Sequence, residues 1–153
     1  MEHEARHVAI TTLGYVLNRT GSERALTYLV DGLSAKLWRK RNVQGLAPFT
    51  HTYSEYDRLL SQYSFMALAL SGDPRAGAAL RALKNAPTPD QTLVGKELDD
   101  MLATWLEVHQ LVAERGLQGM FDYYQARRHA EQERFAEEAR RKRAELYPNL
   151  PPN

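Results

Sequence analysis

Apolar positions recur at three- and four-residue spacing through most of the chain, and each interruption of that recurrence marks a predicted helix end. Between Glu4 and Arg19, Val8, Leu13, Val16 and Leu17 keep near-helical spacing. The stretch stops at Thr20-Gly21, where glycine can take a left-handed cap. Ser22 is placed to cap a second helix whose Ala25, Leu26, Leu29, Leu33 and Leu37 form one stripe. So short a connection predicts an antiparallel hairpin over about 4–41. Periodicity then fails from Asn42 to Thr52, a loop punctuated by Gly45 and Pro48, and the only room for a short extended piece is Val43 to Tyr53.

Ser54-Glu55-Tyr56-Asp57 has the form of a capping box, and Leu59, Leu60, Tyr63, Met66, Ala67 and Leu70 continue as a helix to Ser71-Gly72. Asp73-Pro74 restarts the chain as cap and first helical residue. Ala76, Ala79, Leu80 and Leu83 give the new helix a narrow face of small residues, closing a second hairpin over about 53–86. Thr88 and Gln91 repeat the capping spacing. The following helix carries Leu98, Met101, Leu102, Trp105, Leu106, Val108, His109 and Val112 toward a core, and ends at Arg115-Gly116. A last helix starts near Leu117, presents Met120, Phe121 and Tyr124, and runs through a charged stretch to about Leu146, so the third hairpin covers about 89–146. The expected architecture is all-α: about three stacked antiparallel hairpins in one domain, 1–147, with a long charged C-terminal helix and a proline-rich extended tail, 148–153.

The first two hairpins also share residues at a fixed offset of 51 positions, which sets Gly21, Arg24, Ala25 and Leu29 on Gly72, Arg75, Ala76 and Leu80. In the third, Gly116, Met120 and Tyr124 match loosely. Ala67-Leu68-Ala69-Leu70-Ser71-Gly72-Asp73-Pro74-Arg75-Ala76 resembles the HEAT-repeat family, in which an alanine- and leucine-rich helix is followed by Gly-Asp-Pro-Arg-Ala and a second helix. Thr12-Leu13-Gly14-Tyr15 before Gly21-Ser22-Glu23-Arg24-Ala25-Leu26 is a degenerate version. The resemblance implies a short α-solenoid that offers an extended surface to another macromolecule. The tetratricopeptide alternative fits less well, because the hairpins are spaced more widely than its repeat of about 34 residues.

Composition narrows the function classes. Cysteine is absent, which removes disulfides, thiolate metal sites and cysteine nucleophiles. The net charge of +1 gives no global field to draw in nucleic acid or an anionic membrane. No apolar run approaches the length of about 18 residues needed to span a bilayer, and the opening Glu2, His3, Glu4 and Arg6 do not form an export signal, so a cytoplasmic protein is the favoured expectation.

His3-Glu4-Ala5-Arg6-His7 fits H-E-x-x-H, whose histidines share a helix face and can hold zinc beside a carboxylate base. It lies in a fraying first turn with no third ligand at a suitable interval, so His3 and His7 are weak metal candidates. No nucleophile elbow or phosphate loop occurs, and neither an enzyme nor a cofactor is expected. The remaining candidates are surfaces. Lys36-Leu37-Trp38-Arg39-Lys40-Arg41 joins four cations to a tryptophan, and Phe49, Tyr53 and Tyr56 cluster at the long loop. Trp38, Arg39, Lys40, Arg41, Phe49, Tyr53 and Tyr56 are therefore the predicted contacts to a partner protein. The runs at 36–41 and 140–143 make nucleic acid the alternative partner. In the last helix Glu137 with Arg141 and Glu138 with Lys142 favour a solvated helix, and Phe135, Ala139 and Leu146 form a thin line that leaves self-association open.

Overall fold

The computed structural model describes residues 2–43, 53–85 and 95–148, with side chains over 5–41, 55–85 and 95–148. Gly45, Pro48 and Phe49 of the long loop, the Thr88–Gln91 capping box and most of the proline-rich tail lie outside the described residues. Those described are helical, with no strand among them: α1 (Glu2–Thr20), α2 (Glu23–Asp31), α3 (Ala35–Val43), α4 (Tyr53–Ser71), α5 (Pro74–Asn85) and α6 (Lys96–Leu146). None of these helices is long and apolar enough to cross a membrane. The chain divides into two units, Met1–Leu117 and Gln118–Asn153.

In the first unit α4 is the central helix and packs against α1, α2, α3 and α5. Its burial follows from that position: Leu60, Ser61, Ser64, Phe65 and the run Ala67 to Ser71 are all shut from solvent. A helix enclosed by several neighbours has no single apolar stripe. Sequence spacing therefore misassigns it, leaving out Phe65 and Leu68 and including Leu59, which is 43% exposed. Two buried hydroxyls of α4 bond to backbone carbonyls; Ser61 Oγ donates to that of Leu33 at 2.8 Å and Ser64 Oγ to that of Leu60 at 3.2 Å.

The face of α1 differs from the predicted one as well. Val8 and Val16 are exposed, while Ile10, Gly14 and Leu17 are buried. Gly14 decides this. A methyl group there would overlap the Ala67 carbonyl oxygen and lie 2.9 Å from the Ala67 Cα, so the α1 and α4 backbones meet at this point. Absence of a side chain is the packing feature, and a count of apolar residues does not register it.

The glycine turns expected after α1 and α4 both form. Gly21 and Gly72 hold φ of 62° and 59°, the left-handed region that glycine enters at little cost. Ser22 Oγ accepts from the Ala25 N–H at 3.3 Å, and Asp73 Oδ1 accepts from the Arg75 N–H at 2.9 Å, so both predicted caps act. The two turns are joined directly: Arg75 pairs with Glu23, donates to the Gly21 carbonyl at 3.0 Å and holds Asp73 at 2.7 Å, and Asn18 donates to the Ser71 carbonyl at 2.8 Å.

Three predicted helices need correction. The single helix expected from Ser22 to about Arg41 is two, α2 and α3, separated at Gly32-Leu33-Ser34. The break is stabilised because Trp38 Nε1 donates to the Gly32 carbonyl at 2.6 Å and Ser61 takes the Leu33 carbonyl, satisfying oxygens that a continuous helix would use. α4 starts at Tyr53, one residue before its expected cap. α6 runs from Lys96 to Leu146 but is interrupted at Gly116 (φ 73°, ψ 174°), where the sequence places a helix end. Before that break, His109 is buried and its Nε2 lies 2.8 Å from the Asp73 carbonyl, which can only accept, so Nε2 carries the proton. Gly77 fits against the same ring, 2.6 Å separating its absent Cβ from His109 Cε1.

The second unit is helical, and its side chains from Gln125 to Pro148 are exposed. Spaced i, i+4 pairs run along it: Arg127–Glu131 and Arg141–Glu145 at 3.5 Å, and Glu138–Lys142 at 2.8 Å. The expected Glu138–Lys142 pair forms, whereas Arg141 turns to Glu145 instead of Glu137.

Two predictions follow from these contacts. Gly14→Ala raises helix propensity by about 1 kcal/mol, but the backbone of α4 cannot yield as a flexible side chain would. The substitution is expected to destabilise the fold by about 1–3 kcal/mol, measured as a lower urea midpoint. Asp73 provides the second. The hydrogen bond from the Arg75 side chain holds its carboxyl below the ordinary value of 3.8, outweighing the opposing effect of burial. A carboxyl lowered in the folded state contributes stability that is present above 3.8 and is lost as pH falls through the folded value. The wild type should therefore exceed Asp73→Asn in thermal midpoint at neutral pH, and the difference should shrink as the solution is acidified below that range.

Candidate functional site

The basic run on α3 does not form one surface. Ser34 starts the helix, its Oγ accepting from the Leu37 N–H at 3.2 Å, and helical spacing then sends Trp38 and Arg41 inward while Lys36, Arg39 and Lys40 face solvent. Trp38 is 4% exposed, so the predicted partner contact is a core residue. Its indole is committed to the Gly32 carbonyl and meets Tyr28 edge-on, with ring centroids 5.9 Å apart. The Arg41 guanidinium lies over both rings, 4.0 Å from the Tyr28 centroid and 4.8 Å from that of Trp38. Its Nη1 is sealed from solvent and has no hydrogen-bond acceptor among the described residues.

These residues border a cleft of about 350 Å³ whose other walls are Arg6, Ala9, Ile10 and Leu13 of α1. Arg6, Ile10 and Leu13 fall at i, i+4 and i+7, one face of α1, and Tyr28 reaches the cleft from α2. Sequence reading missed Arg6, Ala9, Ile10, Leu13 and Tyr28 as a group. The i, i+4, i+7 spacing was available as a signal on α1, but only the packing of α2 against α1 brings Tyr28 to it. Chemically the cleft offers cations above an apolar floor. Among the described residues lining it there is no carboxylate, histidine or serine to act as base or nucleophile.

The other predicted residues are dispersed or fall outside the description. Tyr56 is half-buried on α4, the Tyr53 side chain and Phe49 lie outside the described residues, and Arg39 and Lys40 are exposed. His7 is half-buried and stacks on Tyr63, with centroids 5.0 Å apart and planes at 21°, while the His3 side chain lies outside the described residues. Among the described residues no three His, Asp or Glu gather to hold a metal ion. In the run at 140–143, Arg141 and Lys142 are engaged by Glu145 and Glu138.

Comparison with family models, with curated proteins and with solved structures finds no match to this chain. The functional reading therefore rests on the residues themselves.

The contrast between the two faces of α3 is measurable. Trp38→Phe deprives the Gly32 carbonyl of its buried donor and should cost about 1–3 kcal/mol. Arg39→Ala, on the exposed face, should stay within about 0.5 kcal/mol of wild type. Chemical unfolding of both variants checks the assignment.

Proposed function

We propose that the chain is a non-enzymatic protein-interaction module in which α1–α2 and α4–α5 stack as HEAT-like hairpins, and that a partner protein is engaged around α3 and the cleft beneath it. The observation that carries this reading is the direct linkage of the two glycine turns: Arg75 of the second reaches Glu23 and Gly21 of the first, while Gly14 lets α1 lie on α4. Neighbour-to-neighbour contact of this kind is what repeat architectures need, since a lone hairpin cannot bury its own face. The interval between these two hairpins, which includes α3, is where the exposed Arg39 and Lys40 and the cleft both occur.

Nucleic acid is the second reading, favoured by the exposed cations of α3 and weakened by the glutamate pairing of the later basic run. A photo-crosslinking residue at position 39, followed by reconstitution with the purified captured protein, separates the two. The expected result is a discrete protein whose saturable binding is lost when Arg6 and Arg41 are both changed to Glu in a variant that still folds. Capture of nucleic acid alone, with binding that falls steeply as salt is raised, would overturn the proposal.

A further inference from the structure

The Arg41 guanidinium is in an unusual condition for a cation beside a solvent-accessible cleft. It packs against Tyr28 and Trp38, whose rings stand edge-on to one another, and its Nη1 is withdrawn from water without an acceptor among the described residues. A guanidinium has five N–H donors arranged as a fork, and a buried donor left without an acceptor is destabilising. Here that desolvation is incurred before any ligand arrives, and the two ring contacts restrict the side chain, so an anion meeting its remaining N–H groups would find it with little further freedom to lose.

The rest of the cleft specifies what kind of anion. Arg6 adds a second cation, whereas Ala9, Ile10 and Leu13 are apolar, and about 350 Å³ is near the lower end of ligand-sized pockets. Inorganic phosphate would leave the aliphatic floor unused. From this geometry we infer that the cleft binds a carboxylate carried on a short apolar body, as found at the C-terminal residue of a peptide or at an acidic side chain beside an apolar one. Arg41 receives the carboxylate through the N–H groups other than the sealed Nη1, Arg6 supplements the charge, and the aliphatic part lies on Ile10 and Leu13. This inference rests on the interaction-module reading and names the chemistry its partner would present.

The test uses the full chain and small probes, so it does not depend on finding the partner. N-acetyl-leucine presents a terminal carboxylate, N-acetyl-glutamyl-leucinamide a side-chain carboxylate, and N-acetyl-leucinamide neither. The expected outcome is that at least one acid, and not the uncharged amide, produces saturable shifts of the Trp38 indole N–H and the Arg41 Nε–H in nitrogen-correlated NMR spectra. Whichever acid binds identifies the source of the carboxylate. Arg41→Met should weaken that binding at least about tenfold. Because Arg41 also packs on aromatic rings, Ala9→Glu gives a second arm: this position is exposed, and the new carboxylate would occupy the cleft and abolish binding with the fold retained. Equal shifts from acid and amide, or no saturable shift from either acid, would overturn the proposal. So would inorganic phosphate or a short single-stranded RNA binding more tightly than both acids with the same dependence on Arg41. Failure here with a protein still captured from position 39 would remove the carboxylate chemistry alone, whereas failure of both would remove the module reading.

Discussion

The approach of α1 to α4 at Gly14 and Ala67 is the contact on which the first unit is arranged. Backbones meeting without an intervening side chain bring the two helices close enough for the flanking contacts to form, with His7 on Tyr63 toward one end and Asn18 on the Ser71 carbonyl toward the other. The same closeness puts the Gly21 and Gly72 turns within reach of one arginine. Arg75 then joins a carboxylate from each turn and a backbone carbonyl, although it is 46% exposed. Exposed ion pairs contribute little singly. Here the pairing acts mainly as a register: it is compatible with one relative position of the turns, and the buried apolar contacts below it supply the stabilisation.

The separation of α2 from α3 has a comparably specific cause. Asp31-Gly32 ends α2, and the chain turns before α3 because two carbonyl oxygens left by the break, those of Gly32 and Leu33, are taken by Trp38 and Ser61. The space at Gly32 is also occupied by Ser64 Oγ and the Trp38 ring, which leaves no room for a larger residue there. The re-aimed α3 delivers Trp38 and Arg41 to Tyr28 and thereby builds one wall of the cleft. Packing and site are thus made by the same residues, and Trp38 serves the second through the first.

What sequence could convey depended on how local its cause was. Helical character, the caps at Ser22 and Asp73, the glycine turns and the interruption at Gly116 all follow from one or a few adjacent residues, and the structure has each of them. Faces were harder. Val8 and Val16 have the right spacing to be core and are exposed, because the face of α1 is selected by where α4 can approach most closely, and that is at a glycine. The division of α2 from α3 was hidden because Leu29, Leu33 and Leu37 continue a helical spacing across it, while the hydrogen bonds that support the break come from Ser61 on another helix. At the cleft, the cationic run was visible and its inward members were not. Reading Trp38 as a surface anchor followed from its basic neighbours, yet the i, i+3 relation between Trp38 and Arg41 shows that both turn away from the face carrying Lys36 and Lys40.

That inward turn changes the meaning of the basic run. Four cations in six residues suggest a diffuse positive surface suited to a polyanion, whose binding depends on many similar contacts and is readily screened. With Arg41 withdrawn onto two aromatic rings, the run separates into exposed cations, screened by solvent, and one oriented guanidinium in a partly dry setting where electrostatic interactions are stronger. Diffuse charge would favour any anion in proportion to its charge. On the proposed reading, a single guanidinium beside Ile10 and Leu13 would instead discriminate by the apolar group attached to the anion, a selectivity suited to a protein partner.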